Sequence, residues 1–208
     1  MDEHSHQRTI TVGVLVFDEV ELLDLAGPYE VFGAAAEVAG RERFESPPLF
    51  RVLTISESGA PVRTRAGLSI FTDHSFADHP PIDLLVVPGG DVSGMLADPD
   101  VALWIASVDA GCEITASVCT GAFLLAQAGL LDGRRATTHW EDVDGLSSQW
   151  PTIEVLRDVR WVDEGRIVTA AGVSAGIDMA LHLVERLAGR ELALRTARHM
   201  EYTWAERA

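Results

Sequence analysis

Apolar residues occur in short unbroken runs along this chain, and most runs are followed by a stretch with helical spacing. Residues 10–17, I-T-V-G-V-L-V-F, form the first run. So few polar interruptions predict a strand covered on both faces, as in a parallel sheet. A loop at 18–27 follows, and Pro28 is well placed as the first residue of a helix that runs to residue 39 and stops at Gly40. A polar connection, 41–48, leads to a second strand at 49–56. Residues 59–72 alternate around Ala66-Gly67 and predict a small antiparallel excursion. Residues 83–88, D-L-L-V-V-P, give another buried strand, ending in Gly89-Gly90. A helix is predicted over 99–110, closed by Gly111. Residues 113–118 read as a buried strand, and 121–128, rich in Ala and Leu, as a helix. After the Leu131-Asp132-Gly133 turn come a short strand at 136–139 and a helix at 140–150 that stops before Pro151. Residues 158–170 predict a hairpin around Asp163-Glu164-Gly165. Ser174 stands where a long helix needs its N-cap, with Ile177, Ala180, Leu181, Val184 and Leu187 as the apolar stripe and Gly189 at the end. A final helix is predicted over 191–206, with Arg195, Arg198 and Glu201 on its wet faces. This alternation predicts one α/β domain on a mostly parallel sheet, residues 10–208, after a polar tail, 1–9.

Composition narrows the picture. A chain of 208 residues suits one α/β domain with a substantial core, or two small ones, and 47% hydrophobic and 23% charged positions are ordinary for a soluble globular protein. Its net charge of −16 repels phosphate backbones and argues against nucleic-acid binding by this chain alone. Cys112 and Cys119 lie at opposite ends of one predicted strand, out of disulfide reach. No Cys/His cluster has metal-ligand spacing, so a structural zinc site is not expected. Free thiols suit a reducing compartment. The acidic N-terminus is no signal peptide. Residues 114–131 are uncharged, but Thr, Ser, Gln and Gly interrupt them, so they read as core and not as a membrane span. A cytoplasmic protein is the expectation.

The candidate chemistry centres on Cys119, at the junction of a strand and a helix and followed by Thr120-Gly121. Such a sharp turn presents its side chain at the end of the sheet, as a nucleophile elbow does. The helix N-terminus is expected to favour the thiolate. The alternative is a small buried thiol in a close-packed turn. Open α/β sheets bind ligands beyond the carboxyl ends of their strands. Asp24 follows the first strand, Gly89-Gly90 a middle one and Cys119 the next, so all three converge on one edge. The strands leading to Asp24 and Cys119 are expected to be neighbours. Asp24 is then either a general acid and base beside the thiol or a loop carboxylate that binds amides. Thr120 either caps its helix or offers its hydroxyl or amide to a substrate. Gly89, Gly90 and the amide after Cys119 are candidates for an anion hole, although glycines also serve tight turns. His139 belongs either to the site or to the core or an interface. Asp178, in a first helical turn, is read as structural, and Trp140, Trp161 and Trp204 as packing or interface groups.

Five pieces, V-L-V-F-D-E-V-E-L-L-D-L-A-G-P, D-L-L-V-V-P-G-G, S-V-C-T-G-A-F-L-L-A-Q-A-G-L-L, R-A-T-T-H-W and A-G-V-S-A-G-I-D-M-A-L, occur in an order that resembles the ThiJ/PfpI family. That family is related to class I glutamine amidotransferases. The resemblance spans about residues 11–187. It implies a flavodoxin-like three-layer sandwich with a cysteine nucleophile elbow, Cys119 as the nucleophile, and frequent homodimers. The L-D-L-A-G-P and C-T-G pieces are similar to two branches, the isocyanide hydratases and the sensor half of AraC-type regulators. Protease-like members place His directly after the cysteine. Here Thr120 stands there, which argues against a peptidase. The human parkinsonism-linked branch uses a Glu near the thiol, whereas here the acid is Asp24, as in isocyanide hydratases. The resemblance therefore implies hydration of a small-molecule isocyanide without a cofactor. The alternatives are a free-standing ligand- or redox-sensing module and another small-molecule hydrolase, including a glyoxalase-type activity. Only about one helix follows the matched region before Ala208, too little for a three-helix DNA-binding unit.

Overall fold

The computed structural model describes residues 8–41 and 47–206. Most of the expected tail, 1–9, and of the polar connection, 41–48, lies outside them. In chain order the first half contains β1 (Ile10–Leu15), α1 (Leu22–Gly40), β2 (Phe50–Ser56), β3 (Val62–Arg63), β4 (Ser69–Ile70), β5 (His74–Ser75), β6 (Leu84–Val87), α2 (Ser93–Ala97) and α3 (Pro99–Asp109). The second half contains β7 (Ile114–Val118), α4 (Gly121–Gln127), β8 (Arg135–Ala136), a 3₁₀ turn (Trp140–Asp142), α5 (Val143–Gln149), β9 (Glu154–Val155), β10 (Trp161–Asp163), β11 (Ile167–Ala170), α6 (Ala175–Ala188) and α7 (Arg190–His199).

The main sheet has the order β10-β11-β7-β6-β1-β2-β5. All its pairings are parallel except β10 with β11. The central strands are apolar throughout because both faces are covered: β6 and β7 expose nothing. Helices α1, α6 and α7 pack together in one layer, and α2, α3 and α4 in another. The three-layer mixed α/β sandwich expected from the sequence is the observed fold.

Several boundaries differ from the sequence-based expectation, each for a local reason. Helix α1 begins at Leu22, so Asp24 lies in its first turn and Pro28 within the helix. The expected start at Pro28 gave the proline too much weight. Only the bond to the carbonyl four residues back is lost there. The last helix ends at His199 and not at residue 206, and an extended segment follows. That segment is held by Asp178, which accepts from the Ala205 N–H at 2.9 Å and whose carbonyl accepts from Trp204 Nε1 at 3.1 Å. The short strand at 136–139 reduces to Arg135–Ala136, paired with β9. Beyond it, Thr137 and Thr138 spend their hydrogen bonds on Leu156, Thr169 and Cys119 instead of a ladder. Ser174 precedes α6 but makes no side-chain cap; its hydroxyl accepts from Arg160 Nη2 at 3.3 Å. No described helix is long and apolar enough to cross a membrane.

Candidate functional site

The carboxyl ends of β1, β6, β7 and β11 lie side by side on one edge of the sheet. At the end of β7 the chain turns into α4 within two residues, and the turn residue is Cys119 at φ 57°. An L-residue other than glycine pays about 1–2 kcal/mol for this left-handed conformation. Local bonding holds it there. The Cys119 N–H donates to the carbonyls of Ala170 and Ala171 at 3.1 and 3.2 Å, and the Thr138 hydroxyl donates to Cys119 O at 2.8 Å. Gly121 lets the turn close, since a Cβ there would overlap the Val87 carbonyl. Glu19 and Val173, on the adjoining loops, also have positive φ, 68° and 50°. For a β-branched residue such as Val173 that is an outlier. Three of the five non-glycine residues with positive φ among those described lie on this edge.

Asp24 reaches this edge from the first turn of α1, and it is fully buried. The strands leading to Asp24 and Cys119 are not neighbours as expected, because β6 lies between them. The two side chains meet because β6 runs out into Gly89-Gly90. A Cβ on Gly89 would stand 2.5 Å from Thr120 Oγ1 and 2.9 Å from Asp24 Oδ2. The missing side chain is the passage through which the carboxylate approaches the elbow. The Gly89 N–H donates to Asp24 Oδ2 at 3.1 Å. Oδ1 is buried without a directed hydrogen bond. The Cys119 thiol and the Val173 N–H stand close enough to favour its charge. Burial outweighs them and lifts the carboxyl from 3.8 to about 6, with a smaller push from Glu21.

The thiol shifts opposite to the direction expected from the helix N-terminus. Cys119 is pushed up to about 12, first by burial and then by the negative charge of Asp24. The Thr120 N–H pulls the other way but does not prevail. A resting thiolate favoured by the helix N-terminus is therefore not what the fold builds. It builds a thiol that keeps its proton beside a carboxyl raised to about 6.

The other candidate residues fall into place around this pair. The Thr120 hydroxyl exchanges hydrogen bonds with Gly90, accepting from its N–H and donating to its carbonyl, both at 2.9 Å. It makes no cap to α4. Thr120 thus ties the elbow to the end of β6. The N–H groups of Gly89 and Gly90 are committed to Asp24 and Thr120, and the Thr120 amide faces the thiol. His139 caps the 3₁₀ turn, its Nδ1 accepting from the Glu141 N–H at 3.4 Å and lying 3.6 Å from Asp142. Its ring packs on Gly172, on the loop that also carries Val173. Cys112 lies at the far end of β7, buried and unbridged, its thiol donating to Ile82 O at 3.3 Å. Among the described residues no group of three or more His, Cys, Asp or Glu is placed to hold a metal ion. Thr138 and Val173 fall within two of the pieces that carry the resemblance but are not singled out there, and Asp142 carries no local sequence signal, because their places near the pair come from loops that meet only in the folded chain.

Comparisons with known proteins bear on this geometry. Residues 10–186 match the DJ-1/PfpI family. The isonitrile hydratase of Pseudomonas putida is 36% identical over 196 residues, covering 93% of this chain and 78% of that protein. The HTH-type transcriptional regulator CdhR of Pseudomonas aeruginosa is 34% identical over 149 residues, 72% of this chain. The chain spans only 44% of that regulator's length. Among solved structures, a THiJ/PfpI family protein from Pseudomonas syringae superposes with a TM-score of 0.81 at 29% identity, covering 97% of this chain and 78% of that one.

Proposed function

This chain belongs to the DJ-1/PfpI family, and from that premise we propose that it hydrates isocyanides (isonitriles) to N-substituted formamides, with Cys119 as nucleophile and Asp24 as the proton carrier. The observation that carries the reading is the strained Cys119 elbow beside a fully buried carboxyl raised to about 6. Similarity to an isonitrile hydratase supports it.

With substrate bound, Asp24 carboxylate takes the thiol proton as sulfur bonds to the terminal carbon of R–N≡C. Protonated Asp24 then delivers that proton to the same carbon, giving the thioimidate R–N=CH–S–Cys119. A water molecule, deprotonated by the regenerated carboxylate, adds to this carbon. Nitrogen is protonated, the C–S bond breaks, and R–NH–CHO leaves with the thiol restored. One water is consumed and nothing is oxidised or reduced. A carboxyl near 6 is matched to giving and taking a proton at neutral pH, whereas an ordinary Asp is a poor acid donor there. The chemistry requires no cofactor. Thr120 and its amide, with Gly89, Gly90 and His139, form the surroundings of the reacting carbon in this reading. A cytoplasmic homodimer belongs to it as well, and light scattering tests the dimer.

A second reading is a ligand sensor, favoured by the similarity to an HTH-type regulator. Incubation with an aliphatic and an aromatic isocyanide, followed by NMR, separates the two. Formamide lost in Cys119→Ser and Asp24→Asn supports hydration. Tight binding of an isocyanide that stays unchanged supports the sensor.

A further inference from the structure

Resting on that reading of the Cys119–Asp24 pair, we propose that Thr138 is a positioning residue: its hydroxyl holds the Cys119 carbonyl and so keeps the elbow in the left-handed turn that brings the sulfur to Asp24. The two soft dihedrals of a residue are set when the peptide planes on its two sides are held. The plane before Cys119 is held through its N–H, which donates to the carbonyls of Ala170 and Ala171 at 3.1 and 3.2 Å. The plane after it is held through Cys119 O. That oxygen accepts from Thr138 Oγ1 at 2.8 Å and from the Ala122 N–H at 3.2 Å. The Ala122 bond is made within the turn itself and moves with α4. The Thr138 bond comes from a separate segment and ties the turn to the rest of the fold. Of these bonds it is also the one made by a side chain, so a substitution can remove it with the backbone left in place.

Thr138 is itself held. It is buried, and the residues on either side of it are anchored. The Thr137 N–H donates to Thr169 Oγ1 at 2.9 Å. The His139 ring lies so close to the following loop that a Cβ on Gly172 would stand 2.2 Å from its Cδ2. The hydroxyl therefore meets the elbow from a fixed point. A residue other than glycine keeps a left-handed backbone only where its surroundings over-determine it. Without the Thr138 bond, Cys119 at φ 57° can relax towards negative φ, which swings its Cβ and sulfur away from the carboxyl. Thr137 supplies the control. It is buried like Thr138, and its hydroxyl also donates to a backbone carbonyl, that of Leu156 at 3.0 Å, with no part in the elbow.

The test compares Thr138→Val, Thr138→Ala, Thr138→Ser and Thr137→Val with the wild type, each as the intact protein. Val keeps the shape of Thr and removes the hydroxyl, and Ala is a second hydroxyl-free variant should Val not fold. In both, the Ala122 N–H still serves the Cys119 carbonyl. Three quantities are measured: kcat and KM for an isocyanide, the rate of Cys119 alkylation by iodoacetamide at pH 7 read by peptide mapping, and urea unfolding. Thr138→Val and Thr138→Ala should lower kcat by about ten- to a hundredfold with KM little changed, the effect of a misplacement on the order of 1 Å. Alkylation should slow by a similar factor, because the thiol loses the base that takes its proton. Thr138→Ser keeps the hydroxyl and should keep both rates. Thr137→Val should lose comparable stability in urea and leave both rates unchanged. Wild-type rates in the hydroxyl-free variants overturn the proposal. So do an equal loss in Thr137→Val and a failure of Ser to rescue, since loosening of the segment would then account for the effect. If alkylation follows the expected pattern but the wild type turns over no isocyanide, the role of Thr138 stands and the hydratase reading falls. If the wild type and Thr138→Val hydrate an isocyanide equally well, the hydratase reading stands and the role of Thr138 falls.

Discussion

Asp24→Asn should stabilise the fold while abolishing the proposed activity, and the gain should depend on pH in a way set by burial. The folded carboxyl titrates near 6, against 3.8 when unperturbed, because burial disfavours its charge. The folded state therefore binds this proton more tightly than the unfolded chain does. The stability it contributes is fully present below about pH 4 and is lost as pH rises through 6. A raise of about two pKa units amounts to about 3 kcal/mol of penalty once the group is ionised, an amount not discounted for solvent because Asp24 is fully buried. Asn has the same shape, can still accept from the Gly89 N–H, and carries no such penalty. The difference in unfolding free energy, variant minus wild type, should grow by roughly 2 kcal/mol between pH 4.5 and 8, most of it below pH 6. Urea denaturation of both proteins at five pH values and fixed ionic strength measures it. The remaining carboxylates are common to both and cancel in the difference. A difference that stays flat with pH would mean that Asp24 titrates alike in folded and unfolded chains. It would then not be a base held near neutrality, and the mechanism proposed for it would fail.

The pH dependence of kcat/KM for an isocyanide should show one acid limb near 6, as Asp24 must be ionised to take the thiol proton, and no alkaline limb below pH 10, as the thiol lies near 12; a limb near 8.5 would point to a free thiolate instead. Cys119→Ser and Asp24→Asn should each cost at least about a hundredfold in rate and combine non-additively, since they serve one step. Gly89→Ala should lower activity at least about tenfold, because its Cβ would press on backbone and side chain of Thr120 and on Asp24, with a destabilisation of about 1–3 kcal/mol in the same urea assay; unchanged activity would show that the passage is not needed. Iodoacetamide should label Cys119 well before Cys112, whose burial and nearby Asp109 and Asp83 push its thiol up with no base placed to take its proton; peptide mapping showing equal rates would contradict this. Asp178→Ala should destabilise by about 1–3 kcal/mol, because it takes the acceptor from the Ala205 N–H and the partner from the half-exposed Arg160, and hydrogen exchange should rise across residues 202–205, which Asp178 anchors.

The positions of the strands and the sheet edge on which Asp24, Gly89 and Cys119 meet were legible in the chain itself, because both follow from local pattern. Unbroken apolar runs such as 10–17 and 83–88 mean burial on two faces, and that requires a parallel sheet with helices on both sides. The small residues after Val118 marked the elbow at Cys119 for the same reason, since only a compact turn joins a buried strand directly to a helix. What the sequence left open depends on through-space neighbours. Strand order is one such property. It put β6 between the strands leading to Asp24 and Cys119, and so made Gly89 the residue that lets them meet. Protonation is another. A helix N-terminus can be read locally and suggests a thiolate, but burial and the facing carboxylate are set by the whole fold, and they keep the proton on sulfur.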